Sequence, residues 1–209
     1  MGGDGLRAST SFMARLCHCY HRRVMEGGDA PDSGQPESNQ VKSNQIDSRE
    51  FRRVLGCYPT GVTVVTASCP DGPEGLTIGS FTSVSLDPPL VSFCAGRDSD
   101  SWQRMRRVGS FCVNVLSDRQ AELSSAFAGA SADRFAGVAT RSESTGAPVI
   151  EGCLAWIDCK LNAMHPAGDH DIVIGEVVAL GTSDGAGPDS AGPLVFLRGA
   201  YGRVEGLGL

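Results

Sequence analysis

The rhythm of apolar and polar positions shifts along this chain, and each shift predicts an element. Residues 26–44 are Gly, Asp, Pro, Ser, Gln and Asn with almost nothing apolar. Such a stretch cannot bury enough surface to offset its ordering entropy. Residues 1–45 are therefore expected to be a tail, in which Met25 offers a second start, and 46–205 the folded domain. Beyond Ile46, the residues Phe51, Val54 and Leu55 recur at helical spacing, and Asp47 with Glu50 has the form of a capping box. Tyr58-Pro59-Thr60-Gly61 ends that helix.

After it the pattern becomes strand-like. Residues 62–67, 111–116, 153–161, 172–181 and 194–204 are β-branched or alternating runs. Residues 75–96 hold two more strand-like arms, parted by the stop signal Asp87-Pro88-Pro89. Asp98 or Ser99 opens a short helix to Val108, on which Arg104, Arg106 and Arg107 read as a solvated face. Ser117 with Gln120 is a second capping box, opening a helix through Phe127. Residues 128–146 and 182–192 read as loops. Roughly six or seven strands with only short helices between them predict an antiparallel sheet closing into a barrel. No G-x-G-x-x-G follows a strand, so a parallel dinucleotide fold has no support.

The first arm of 75–96 carries Thr77, Ser80, Thr82, Ser83 and Ser85 among Leu76, Ile78, Phe81 and Val84. A core strand rarely uses so many hydroxyl residues; a strand that bonds a polar ligand along its length would.

Charge and cysteine usage narrow the classes. A net charge of -6 gives no electrostatic support for nucleic-acid binding. No apolar run reaches the length of a membrane span, and no secretory signal is visible. Of the 8 Cys, Cys94, Cys112, Cys153 and Cys159 lie in apolar runs where a reduced thiol packs as a small hydrophobe. A cytoplasmic protein with free thiols is expected. Cys17-His18-Cys19-Tyr20-His21 has metal-ligand residue types but not the zinc spacing of Cys pairs about two to four residues apart, so no metal site is assigned.

Familiar catalytic sets are missing: no G-x-S-x-G, no Walker A loop, no H-E-x-x-H. His170, in Gly168-Asp169-His170-Asp171, stands directly before a strand. Spacing alone fits a surface His satisfying a turn as well as a polar group positioned at a barrel rim. Ser99 and Ser101 beside Trp102 fit helix capping, and the same N–H groups would suit a phosphate.

Pro59-Thr60-Gly61-Val62-Thr63-Val64-Val65-Thr66 followed by Gly75 to Val91 resembles the short-chain NAD(P)H:flavin oxidoreductase family, the flavin reductase components of two-component flavin monooxygenases. Ser101-Trp102, Phe111 to Leu116, Gln120, Phe135-Ala136-Gly137, Gly146-Ala147-Pro148, Gly168-Asp169-His170, Leu194 to Gly199 and Tyr201 match in family order. The resemblance implies a split β-barrel, usually a homodimer, that binds FMN or FAD. Hydride would pass from C4 of NADH or NADPH to flavin N5, and reduced flavin would diffuse to a separate monooxygenase. The flavin carries the hard chemistry, which suits a chain without a strong acid, base or nucleophile.

Carried over by position, the resemblance implies that Gly75, Leu76, Thr77, Gly79 and Ser80 line the flavin, with Cys94, Ala95 and Gly96 across from them. Asp100 and Ser101 fall on the phosphate side, and Ser125 and Ala126 in the flavin region. Asp100 departs from the basic residue of relatives, and Ser125–Ala126 from their Arg; fewer cations imply weak, exchangeable flavin. His170 would sit beside the nicotinamide as the catalytic group, and Phe196, Leu197 and Arg198 near the dinucleotide. A non-catalytic flavin carrier of the same barrel is the alternative, which Gly168-Asp169-His170 disfavours. A pyridoxine-phosphate type oxidase would need an Arg/Lys cluster on the barrel strands, and none is evident.

Overall fold

A computed structural model describes residues 46–129, 133–182 and 191–204. The tail, with Cys17-His18-Cys19, lies outside the described residues, as do parts of both predicted loops. The first helix, α1 (Ser48–Leu55), begins where its cap predicts: Asp47 accepts from Arg49 N at 3.0 Å. Glu50 does not complete the capping box. It turns forward to pair with Arg53 at 2.6 and 2.8 Å. The apolar stripe faces outward; Phe51, Val54 and Leu55 are all about half exposed and α1 buries no residue.

In chain order follow β1 (Thr60–Gly61), β2 (Thr63–Cys69), β3 (Gly72–Ile78), β4 (Thr82–Leu86), β5 (Pro89–Gly96), α2 (Asp100–Met105), β6 (Ser110–Val115), a 3-10 turn (Asp118–Gln120) and α3 (Ala121–Ala128). Then come β7 (Thr140–Ser142), β8 (Pro148–Ile150), β9 (Ala155–Ala167), β10 (His170–Thr182), β11 (Leu194–Leu197) and β12 (Ala200–Arg203). Seven strands form one antiparallel sheet in the order β3-β2-β6-β9-β10-β5-β4. The last predicted strand is a hairpin, β11–β12, turned by Arg198 and Gly199 with φ of 51° and 82°. Its first strand pairs with β1.

The first arm of 75–96 is not one strand. It breaks at Gly79–Ser80–Phe81, and its halves, β3 and β4, become the two opposite edges of the sheet. The second arm, β5, folds back on β4 across Asp87–Pro88, whose peptide is cis.

β2 is buried on both faces, which explains its continuous β-branched run rather than an alternation. Val65 and Ala67 join a core with Phe93, Trp102, Phe111 and Val173; Val62 and Val64 join a second with Leu116, Phe127, Ile150 and Leu194. Leu76 and Ile78 of β3 share the first core with Val91, Phe93 and Ala95 of β5, although four strands separate them in the ladder. The sheet has coiled until its ends face one core, yet no ladder joins them among the described residues. This is the antiparallel split β-barrel predicted from the strand pattern and the resemblance. None of the described helices is long and apolar enough to cross a membrane.

Asn114 ties β6 to β2 and β8. Fully buried on β6, it donates to Val64 O at 3.1 Å and Thr66 Oγ1 at 3.2 Å, and accepts from Ile150 N at 2.8 Å. Asn114→Ala strands these groups without water and should cost about 2–4 kcal/mol, read as a lowered urea midpoint with an unchanged slope.

Candidate active site

The gap in the barrel lies between two strand edges. On one side is the outer edge of β3, which has no partner strand. Helix α2 packs against β3 on one face and α3 on the other. Glu74 turns to α2. Gly75 and Thr77 turn to α3: Thr77 Oγ1 donates to Ser124 O at 2.7 Å, and a Cβ on Gly75 would stand 2.6 Å from the Phe127 ring. Gly75 is thus demanded by helix packing whatever lies in the gap.

On the other side is the end of β5. β4 pairs with β5 only as far as Ser92. The Ser80 hydroxyl then takes over, accepting from Cys94 N at 2.9 Å and donating to Cys94 O at 3.3 Å. Beyond it, Cys94, Ala95 and Gly96 have β10 on one flank and no strand on the other. Gly96 stands opposite His170 in the β5–β10 register, and Cys94 opposite Ile172. His170 therefore shares a sheet face with Cys94 and Gly96, while Asp171 shares the inner face with Ala95.

His170 Nδ1 lies 2.7 Å from Asp169 Oδ1. The main chain of Asp169 is itself pinned, its carbonyl accepting from Arg97 N at 2.9 Å. Asp171, only 4% exposed, accepts from Trp102 Nε1 at 2.9 Å and has Arg97 and Arg106 each at 3.6 Å. One buried carboxylate thus fixes α2 to the turn that carries His170. The predicted solvated face is thus only partly free: Arg104 and Arg107 are exposed and Arg106 half-buried, but Arg104 bonds Glu74 and Arg106 lies near Asp171. A cleft of about 490 Å³ lined by Arg97, Arg106, Gln103, Gly168 and Asp169 opens beside this turn.

A polar cluster closes the other end of β3. Glu74 accepts from the Ser101 hydroxyl at 2.9 Å and from Arg104 Nε, with Arg134 NH1 at 3.8 Å. Arg134 also bonds Ser101 Oγ and the Gly129 carbonyl, and its NH1 lies 3.5 Å from Gly75 O. Burial pushes the Glu74 carboxyl up. The hydrogen bonds from Arg104 and Ser101 and the charges of Arg104 and Arg134 outweigh this and hold it below its ordinary value.

The predicted positions sort as follows. Gly75, Leu76, Thr77, Gly79, Ser80, Cys94, Ala95 and Gly96 come together on the two edges. Ser101 and its neighbour Trp102 join β3 to the His170 turn. Asp100 is exposed on the first turn of α2. Ser125 on α3 donates back to Ala121 O at 3.0 Å, with Ala126 exposed beside it. Phe196 stacks edge-on to Tyr201 and pairs with Thr60, whose Oγ1 lies 3.1 Å from where a Gly79 Cβ would be. Leu197 is exposed, and Arg198 bonds through its main chain to Gly56 O at 2.9 Å, on the α1 side. The sequence reading missed Glu74, Arg134, Asp169 and Asp171. Arg134 directly precedes the matched Phe135-Ala136-Gly137, which was the available signal. It supplies a cation where the substitution of Ser125 and Ala126 had suggested none.

A family model described as flavin reductase like domain matches residues 55–205. The chain belongs to the flavin reductase family. The reductase is 53% identical over 153 residues to a flavin reductase of Pseudomonas putida, covering 73% of this chain and 87% of that protein. It is 45% identical over 157 residues to HsaB, the reductase subunit of a flavin-dependent monooxygenase of Mycobacterium tuberculosis, covering 75% and 82%. The crystal structure of nitrilotriacetate monooxygenase component B from Mycobacterium thermoresistibile superposes with a TM-score of 0.72 at 43% identity, over 76% of this chain and 87% of that one. The Streptomyces globisporus NADH:FAD oxidoreductase, solved with NAD and FAD fragments, superposes with a TM-score of 0.71 at 36% identity, over 78% and 96%.

The reductase is an oxidoreductase of flavin and nicotinamide dinucleotide, and its gap suits a flavin. Two strand edges border it, and small residues line both of them. The Thr77 and Ser80 hydroxyls already bond within the protein, and Gly75–Ile78 are buried, so the main chain at Gly79–Ser80 and at Cys94–Gly96 is what the edges offer a ligand.

Thiol chemistry checks this geometry. Burial pushes the Cys159 thiol up to about 12 and Cys112 higher still, whereas Cys57 is exposed and Cys94 half-buried on the gap. Alkylation at pH 8, mapped by peptide mass, should label Cys57 and Cys94 and spare Cys112 and Cys159, because only thiolate reacts. Added FMN should protect Cys94 and leave Cys57 reactive.

Proposed function

We propose that the reductase uses NADH or NADPH to reduce FMN or FAD, then releases the reduced flavin to a separate monooxygenase in the cytoplasm. Bound flavin supplies the hydride acceptor. Gly79–Ser80 at the end of β3 and the β5 end from Cys94 to Gly96 hold the ring's polar groups by main-chain bonds. Asp169 fixes the His170 ring through Nδ1, and Nε2 has no protein partner among the described residues. Nε2 orients the nicotinamide carboxamide, so that the reacting carbon meets the ring in one geometry. The observation that carries this reading is His170, held by its neighbouring carboxylate and set opposite Gly96 at the rim of the gap.

The active species is a homodimer. Leu86 is 95% exposed and Leu180 67%, and the apolar stripe of α1 is uncovered in the single chain. Size-exclusion chromatography with light scattering should give twice the chain mass; a monomer at micromolar concentration would remove this part of the proposal.

Anaerobic mixing of the protein with NADH and FMN should bleach the flavin's visible absorbance. Persistent colour would defeat the reading in favour of a carrier. His170→Ala should lower kcat/KM for NADH about 3–10-fold, the worth of one hydrogen bond, and leave flavin affinity within about twofold. Asp169→Asn, which keeps a partner for Nδ1, should lose less.

A further inference from the structure

We infer that Glu74 occupies the place of a ligand phosphate, so that the reductase's own carboxylate competes with flavin monophosphate for Ser101, Arg104 and Arg134. This rests on the flavin-binding reading above. Ser101 is 2% exposed, and its hydroxyl is committed to Glu74 and Arg134. The Arg134 guanidinium, its side chain 18% exposed, reaches from the Gly129 carbonyl at the end of α3 past Gly75 O to the Ser101 hydroxyl on α2. It thereby crosses the unpaired edge of β3. One hydroxyl and two guanidiniums converging on an oxyanion form a phosphate-type donor set. Here that oxyanion is a side chain from the strand itself.

Placement agrees with the chemistry. Glu74 is four residues before Ile78, where β3 ends next to Gly79, about 13 Å along the strand. That distance suits a ring at the Gly79–Cys94 end and a ribityl phosphate at the Ser101 end. Asp100 adds a second carboxylate on the first turn of α2. With Glu74 in place the donors are neutralised, and a phosphate must displace a charged partner to reach them. Flavin held this way exchanges readily, which suits a protein that must hand its reduced product on.

FMN and riboflavin differ only in the terminal phosphate, so the ratio of their dissociation constants isolates its contribution. Titration of the full chain, followed by flavin fluorescence, should show wild type binding the two within about threefold of each other. Glu74→Gln should raise the preference for FMN about 10–100-fold. Adding Ser101→Ala to it should return most of that gain. A wild type that already prefers FMN a hundredfold would overturn the inference without any variant. So would an unchanged ratio in a folded Glu74→Gln protein, or a change confined to KM for NADH, which would assign the donors to the dinucleotide. Binding of neither flavin by wild type would defeat the flavin reading itself.

Discussion

The unpaired outer edge of β3 is the constraint from which the rest of this structure follows. Seven antiparallel strands coil until β3 and β5 share one core, but the ladder stops short of closing. An open edge carries a row of main-chain donors and acceptors that must be covered or paired. Here α2 and α3 close over its two faces, and Arg134 crosses it near Gly75. Gly75–Ile78 are thereby buried, and what remains exposed is Gly79 and Ser80 beside Cys94 at the end of β5. A closed barrel would have no such gap, and a flat sheet would not bring Gly79 and Cys94 to the same place.

Helix α2 couples the two ends of that gap. Its Ser101 and Arg104 bind Glu74 at one end, and its Trp102 binds Asp171 beside His170 at the other. The side chains making these bonds are more buried than the His170 they serve. Precision at the rim is thus supported from below by a buried carboxylate and an indole N–H, each costly to leave unpaired.

Hydroxyls are where local reading and tertiary structure part. Thr77 and Ser80 suggested ligand donors because a strand so rich in hydroxyls is unusual, Ser101 because a helix start suits a phosphate, and Ser125 through the family resemblance. In the fold Thr77 holds α3, Ser80 replaces a missing strand beside Cys94, Ser101 anchors Glu74 and Ser125 bonds its own helix. Short polar side chains satisfy the main chain where regular pairing ends, as the Ser80 hydroxyl does beside Cys94 at the gap. The hydroxyl-rich pattern thus marks a break in strand pairing, where these groups bond the protein itself.

By itself the sequence determined the class and the order of elements. β-branched runs at close spacing specify strands, caps at Asp47, Ser99 and Ser117 start helices, and the ordered motifs from Pro59 to Tyr201 specify the family. These signals are local, or repeat in a fixed order, so they need no coordinates. Only the tertiary structure decided that the arm after Gly75 splits into opposite edges, because a break at Gly79–Ser80–Phe81 does not say which strands its halves will join. Contacts between Glu74 and Ser101, Arg134 and Gly75, and Trp102 and Asp171 likewise join residues far apart in the chain. Burial and partner choice depend on how the sheet coils, and no periodicity in the sequence encodes them.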